Sequence, residues 1–207
     1  MANRGEQSRI RILEAATRLI AEKGFSAITV QDVLDAARVT KGKFFHHFKS
    51  KEDLFAQLLK YSLSAREFPN FKDVVKPNKS ASPFEDLIFI LDKVIEWHKK
   101  GLPQVMRLCV FATVFFAPDS PEIKEISRRL VANTQVLKKL IKDCQTKKLL
   151  PKELDPAVLC LLFPSAGIGG NTVGFLTKTK DLTLRNLKEL KKMLLQLNCN
   201  CERRRSV

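Results

Sequence analysis

Apolar positions recur with a helical period along most of the chain. Between Ser8 and Lys23, Ile12, Leu13, Ala16, Leu19 and Ile20 fall on one face, and Arg11, Glu14, Arg18 and Glu22 on the other. That spacing predicts an amphipathic helix, with ion pairs of opposite sign one turn apart. Gly24 suits a left-handed cap at its end, and Phe25 is placed to fold back on the last turn. A shorter apolar face follows in Val30, Val33, Leu34 and Ala37. Thr29 reads as its cap, with Asp32 completing a capping-box-like pair. The turn falls at Arg38–Val39. Thr40 then caps a second short helix from Lys41 to about His47, and Ser50 with Asp53 repeats the signal for a third start at Lys51. Leu54, Phe55, Leu58, Leu59 and Leu63 stripe this third helix, which is read to about Arg66.

The remainder keeps the same period. Phe68 to Ala81 is a polar connection with two prolines. Ser82-Pro83 opens a helix carrying Leu87, Leu91, Val94, Ile95 and His98 on one face, stopped by Gly101. Pro103 to Phe116 is short and apolar, with Val105, Met106, Leu108, Cys109, Phe111, Ala112 and Phe115. Ser120-Pro121 starts a long helix to about Lys147, and Asp155-Pro156 another to about Leu176. Thr183 is read as the cap of the last, which carries Leu184, Leu187, Leu190, Leu194 and Leu197. No alternating strand pattern of useful length occurs, so the expected fold is all-α with about nine helices. Ala157, Ala166, Gly167, Gly169, Gly170 and Gly174 are small enough for close helix approach.

Residues 29–51, with two short helices, a tight turn and the start of a third, form a helix-turn-helix signature. Arg11-Ile12-Leu13-Glu14-Ala15-Ala16, Glu22-Lys23-Gly24-Phe25, Thr29-Val30, Val39-Thr40-Lys41-Gly42, Phe45-His46-His47-Phe48 and Ser50-Lys51-Glu52-Asp53-Leu54 appear in order across about residues 8–58. This stretch resembles the N-terminal domain of TetR-family transcriptional regulators. Phe45 stands where that family usually has tyrosine, and Val33-Leu34 where isoleucine and alanine are usual. The resemblance implies an N-terminal three-helix DNA-binding domain at 1–51 and a helical effector-binding and dimerisation domain at 52–207. It also implies a homodimer through the last two helices, a palindromic double-stranded DNA operator, and release by a small-molecule effector. A repressor in the cytoplasm is the expectation, with an activator or a nonspecific nucleic-acid binder as the alternatives.

Composition sharpens this only in part. The formal net charge is +15, which favours polyanions. Residues 1–51 hold 10 Lys and Arg against 5 Asp and Glu, while the rest hold 27 against 17. Charge is therefore compatible with DNA binding without locating it. No apolar run is expected to reach the ~18 residues of a membrane span, and the polar start MANRGEQSR lacks a signal-peptide core. Cys109, Cys144, Cys160, Cys199 and Cys201 are read as reduced thiols.

The DNA-binding candidates are Thr29, Thr40, Lys41, Gly42, Lys43, Phe45, His46 and Lys51. Lysine donates to guanine O6 and N7, and Lys43 is the foremost base-reading candidate. Thr29, His46, His47 and Lys51 are phosphate candidates. His47 reads equally as a structural tie, and Phe44 and Phe48 as core. Trp97, His98, Met106, Cys109, Phe111 and Phe115 fall where such regulators build an effector pocket, and their aromatic, sulfur-rich character suits a hydrophobic effector. Adjacent histidines on a helix point about 100° apart, so His46 and His47 are not read as a metal pair. No nucleophile–base pair, paired carboxylates, metal-ligand set or phosphate-loop context is found, so neither catalysis nor a cofactor is expected.

Overall fold

The structure, a computed structural model, describes residues 4–63, 70–75, 82–100 and 102–203. The order is α1 (Arg4–Lys23), α2 (Val30–Ala37), α3 (Lys41–His47), α4 (Lys51–Ser62), α5 (Phe71–Val74), α6 (Pro83–Lys100), α7 (Leu102–Phe115), α8 (Pro121–Thr146), α9 (Pro156–Leu176) and α10 (Leu182–Arg203). The chain is all-helical, and there is no strand among the described residues. The expected third-helix end at 64–66, the connection at 76–81 and the stop at Gly101 lie outside the described residues. So do the side chains of 4, 100–105, 107, 202 and 203.

The chain forms two compact units, Met1–Phe68 with Gln104–Lys124, and Pro69–Pro103 with Glu125–Val207. In the first, Ile12, Leu13, Ala16 and Ile20 of α1 are buried with Val33, Leu34, Phe44, Phe48, Leu54, Phe55 and Leu58. These are the residues the helical period had put on the inner faces. Gly24, at φ 83°, caps α1 in the left-handed region that costs other residues strain. In the second unit, Leu87, Ile90 and Leu91 of α6 pack with Leu137, Leu140, Ile141 and Cys144 of α8, Leu159 and Phe163 of α9, and Leu187, Leu190 and Leu194 of α10.

Four expectations change. First, α1 begins at Arg4 rather than Ser8, because the Ser8 hydroxyl donates back to the Gly5 carbonyl at 2.7 Å and the residue sits inside the helix. Second, the polar connection holds the extra one-turn helix α5. Asn70 caps it, and the Phe71 N–H donates to Asn133 Oδ1 at 2.9 Å, a tertiary contact no local pattern carries. Third, Thr183 does not cap α10 but lies in its first turn, 3.4 Å from the Gly167 carbonyl to which it donates. Fourth, α9 is long and apolar enough to cross a membrane by length and composition, with 21 residues and a mean hydropathy of 1.4 in its most apolar window. No charged residue interrupts 156–176, and glycine, serine and threonine score near neutral, so the segment is more apolar than its small-residue content implies. Within the unit it packs on α10. A Cβ at Gly170 would come within 2.6 Å of the Thr183 Cα, whereas one at Gly167 or Gly169 would meet nothing within 4 Å.

Candidate nucleic-acid interface

The reading head is set out by caps. The Thr29 hydroxyl accepts from the Asp32 N–H at 3.1 Å, and the Thr29 N–H donates to Asp32 Oδ2 at 2.7 Å, a full capping box on α2. At the other end Arg38 adopts φ 53°, and the Arg38 and Val39 N–H groups return to the carbonyls of Asp35 and Leu34. That closes α2 in the manner glycine commonly allows. Thr40 then caps α3 through the Lys43 N–H.

Phe44 and Phe48, both fully buried, anchor α3 from below. On a seven-residue helix this fixes the outward face. Thr40, Lys41, Gly42, Lys43, Phe45 and His46 are all exposed, and so is Thr29 at the start of α2. Neither Lys41 nor Lys43 forms an ion pair among the described residues. A Cβ at Gly42 would meet nothing within 4 Å, so the fold itself does not demand glycine there.

His47 faces inward. The single hydroxyl hydrogen of Ser8 goes to the Gly5 carbonyl, so His47 Nε2, 2.9 Å from Ser8 Oγ, is the donor. Burial, reinforced by the neighbouring His46 and Arg9 charges, pushes the His47 pKa down and favours the neutral ring. Gln57 of α4 donates to the His47 carbonyl and accepts from Arg9 of α1, at 3.2 Å each. Helices α1, α3 and α4 are thus tied at one point.

Lys51 is half-buried. Its Nζ donates to the carbonyls of Phe25 at 3.2 Å and Ile28 at 3.0 Å, and lies 4.5 Å from the centre of the Phe25 ring. The N-terminus of α4 also holds its own acids: Ser50 caps Asp53, whose carboxylate accepts from the Lys49 N–H. Sequence spacing carried no signal for either the Lys51 or the His47 contacts, which join residues 23 to 39 positions apart.

The effector candidates divide. Trp97 and His98 lie on α6 in the second unit, and Met106, Cys109, Phe111 and Phe115 on α7 in the first. Phe115 packs edge-on against Phe25, with ring centres 4.5 Å apart, and against Phe55 at 6.1 Å. Cys109 is buried, and burial pushes its thiol up to about 12, so it carries almost no thiolate at neutral pH. No three His, Cys, Asp or Glu side chains converge as a metal site among the described residues.

A family profile described as bacterial regulatory proteins, tetR family, matches residues 12–58. The match runs from the buried face of α1, through the capped α2 and α3, into α4. Over this stretch the chain carries a TetR-family domain. This is a family of transcriptional regulators rather than enzymes. Among TetR-family relatives, the transcriptional repressor KstR2 of Mycobacterium tuberculosis is 38% identical over 76 residues, 37% of this chain and 36% of that protein. The chain thus spans about a third of the length of the first curated relative it matches. The transcriptional regulator AcrR of Shigella flexneri is 25% identical over 154 residues, 72% of this chain and 69% of the relative. A solved TetR-family regulatory protein from Rhodococcus RHA1 superposes with a TM-score of 0.72 at 18% identity, over 93% of this chain and 97% of that one, and so shares the fold.

Proposed function

We propose that this TetR-family chain is a sequence-specific, ligand-responsive repressor that reads a palindromic operator as a homodimer in the cytoplasm. The observation that supports this best is the exposed leading turn of α3, where Lys41, Gly42 and Lys43 stand free of ion pairs above a buried Phe44–Phe48 anchor. A short helix presented this way enters the major groove with its first residues at base edges. Lys43 reads a base, Gly42 lets the backbone approach, and Thr29, Thr40, Phe45 and His46 border the phosphates. Phe45 does so without a hydroxyl.

The dimer face is proposed on α9 and α10. Val158, Leu161, Leu162, Val173, Phe175 and Leu176 of α9 and Met193 and Leu195 of α10 are exposed. Val158, Leu161 and Leu162 fall one turn apart on one side of α9, and apolar side chains exposed in this way suit a partner surface. Gly167 and Gly169, with open space around them, would let a second copy approach closely. A hydrophobic effector bound by the 52–207 region would favour a dimer whose reading heads miss the half-site spacing. Cys109 serves as apolar packing.

The test uses a duplex that the full-length protein retains from sheared genomic DNA under competition. Lys43→Ala is expected to cost about 1–3 kcal/mol and to abolish discrimination at one base pair of each half-site. Equal loss on every sequence would reduce Lys43 to a phosphate contact.

A further inference from the structure

We infer that Lys51 and a column of phenylalanines act together as a latch that positions the reading head, so that the end of α7 sets the entry of α2. This rests on the DNA-reading proposal and adds to it a device within the first compact unit.

The column begins at the C-terminal end of α7. The Phe116 ring stacks on Phe55 of α4, with centres 5.5 Å apart and planes 18° from parallel. Phe55 stacks in turn on Phe25, at 4.6 Å and 23°. Phe115 closes the cluster edge-on against Phe25. The Lys51 ammonium lies 4.5 Å from the Phe25 ring centre and donates to the Phe25 and Ile28 carbonyls. A cation held against an aromatic ring and two carbonyls is fixed far more firmly than a solvated surface lysine.

The Ile28 carbonyl belongs to the same peptide group as the Thr29 N–H, which donates to Asp32 Oδ2. That single peptide plane is therefore clamped at both ends, by Lys51 of α4 on the oxygen and by Asp32 of α2 on the nitrogen. Its orientation sets where α2 begins, and α2 with its capped turn sets where α3 stands. A shift at Phe115 and Phe116 has a continuous path of packed rings to that peptide. In this arrangement Lys51 spends two of its three N–H donors on the protein. Its part in operator binding is that of a positioning residue.

The test compares Lys51→Met, Lys51→Arg and Phe116→Leu with the wild type in the full chain, on a duplex selected by the wild type. Two readouts are needed: the dependence of affinity on salt, and amide hydrogen exchange resolved along residues 25–37. Lys51→Met keeps the stem and removes the donors. It is expected to weaken binding about tenfold, leave the salt slope unchanged, and speed exchange at the start of α2 without changing that of α8. Lys51→Arg restores most of the affinity, since the guanidinium also donates to two carbonyls. Phe116→Leu gives the same local change in exchange on a smaller scale, with an intact fold.

A salt slope lower by about one with unchanged exchange would make Lys51 a direct phosphate contact and overturn the latch. Faster exchange throughout the chain would reduce the column to ordinary core, and an unaltered α2 in Phe116→Leu would cut α7 out of it. If the wild type selects no preferred sequence, the DNA-reading proposal fails, while the exchange data still decide whether the latch exists.

Discussion

Burial decides what single atoms do in this protein. The Cys109 and Cys144 thiols are both pushed up to about 12 by desolvation, and the charge of Asp143 adds to the effect at Cys144. In the unfolded chain these thiols ionise near 9.0, their ordinary value, so unfolding releases their protons earlier than the folded state does. Stability is therefore expected to fall as pH rises from about 9 toward 12. At neutral pH, a soluble thiol reagent should modify the exposed Cys199 and leave Cys109 and Cys144 untouched until the protein unfolds. Native-state labelling of Cys109 at the rate of Cys199 would contradict that and make Cys109 a candidate electrophile sensor. The sequence told buried from exposed at this scale wherever periodicity spoke: Phe44 and Phe48 went in, Lys41 and Lys43 out. It offered His47 as a structural tie and Lys51 as a phosphate contact but named no partner for either, because a carbonyl or a serine brought near by folding leaves no mark on local spacing.

Helix ends were legible because caps are local chemistry. Thr29, Thr40, Ser50 and Asp155 each accept from a backbone N–H of the helix they precede. The failures came where a distant partner took over. α5 depends on Asn133 of α8, and the Thr183 hydroxyl turns to the Gly167 carbonyl instead of capping α10. The helices α9 and α10 approach closely at Gly170. At Gly170 an alanine Cβ would sit 2.6 Å from the Thr183 Cα, a backbone atom that moves only with its helix. Gly170→Ala is accordingly expected to cost about 1–3 kcal/mol in urea unfolding. Loss within experimental error would mean that α10 slides freely at this point.

For the whole molecule, charge and apolar surface point in different directions. The excess of lysine and arginine is spread over the chain rather than gathered in its first 51 residues, where it amounts to 10 against 5 acids. Affinity for nucleic acid in general follows from that net charge. On the proposed reading, specificity comes from the capped start of α3, and from pairing two such starts through the exposed apolar residues of α9 and α10. One short helix makes few base contacts, whereas two on successive major-groove faces give a usable and symmetric site. The family resemblance was legible because caps, turn and core of residues 12–58 are all local. The face proposed for the dimer is less legible, since an apolar helix reads alike whether a neighbouring helix or a second copy covers it. The most direct test is to let the full-length protein select fragments of genomic DNA at near-physiological salt and to read the enriched sequence. A two-fold symmetric motif with half-sites about one helical turn apart is the predicted result. Enrichment without a motif would show that net charge governs binding and would contradict the specific-regulator account.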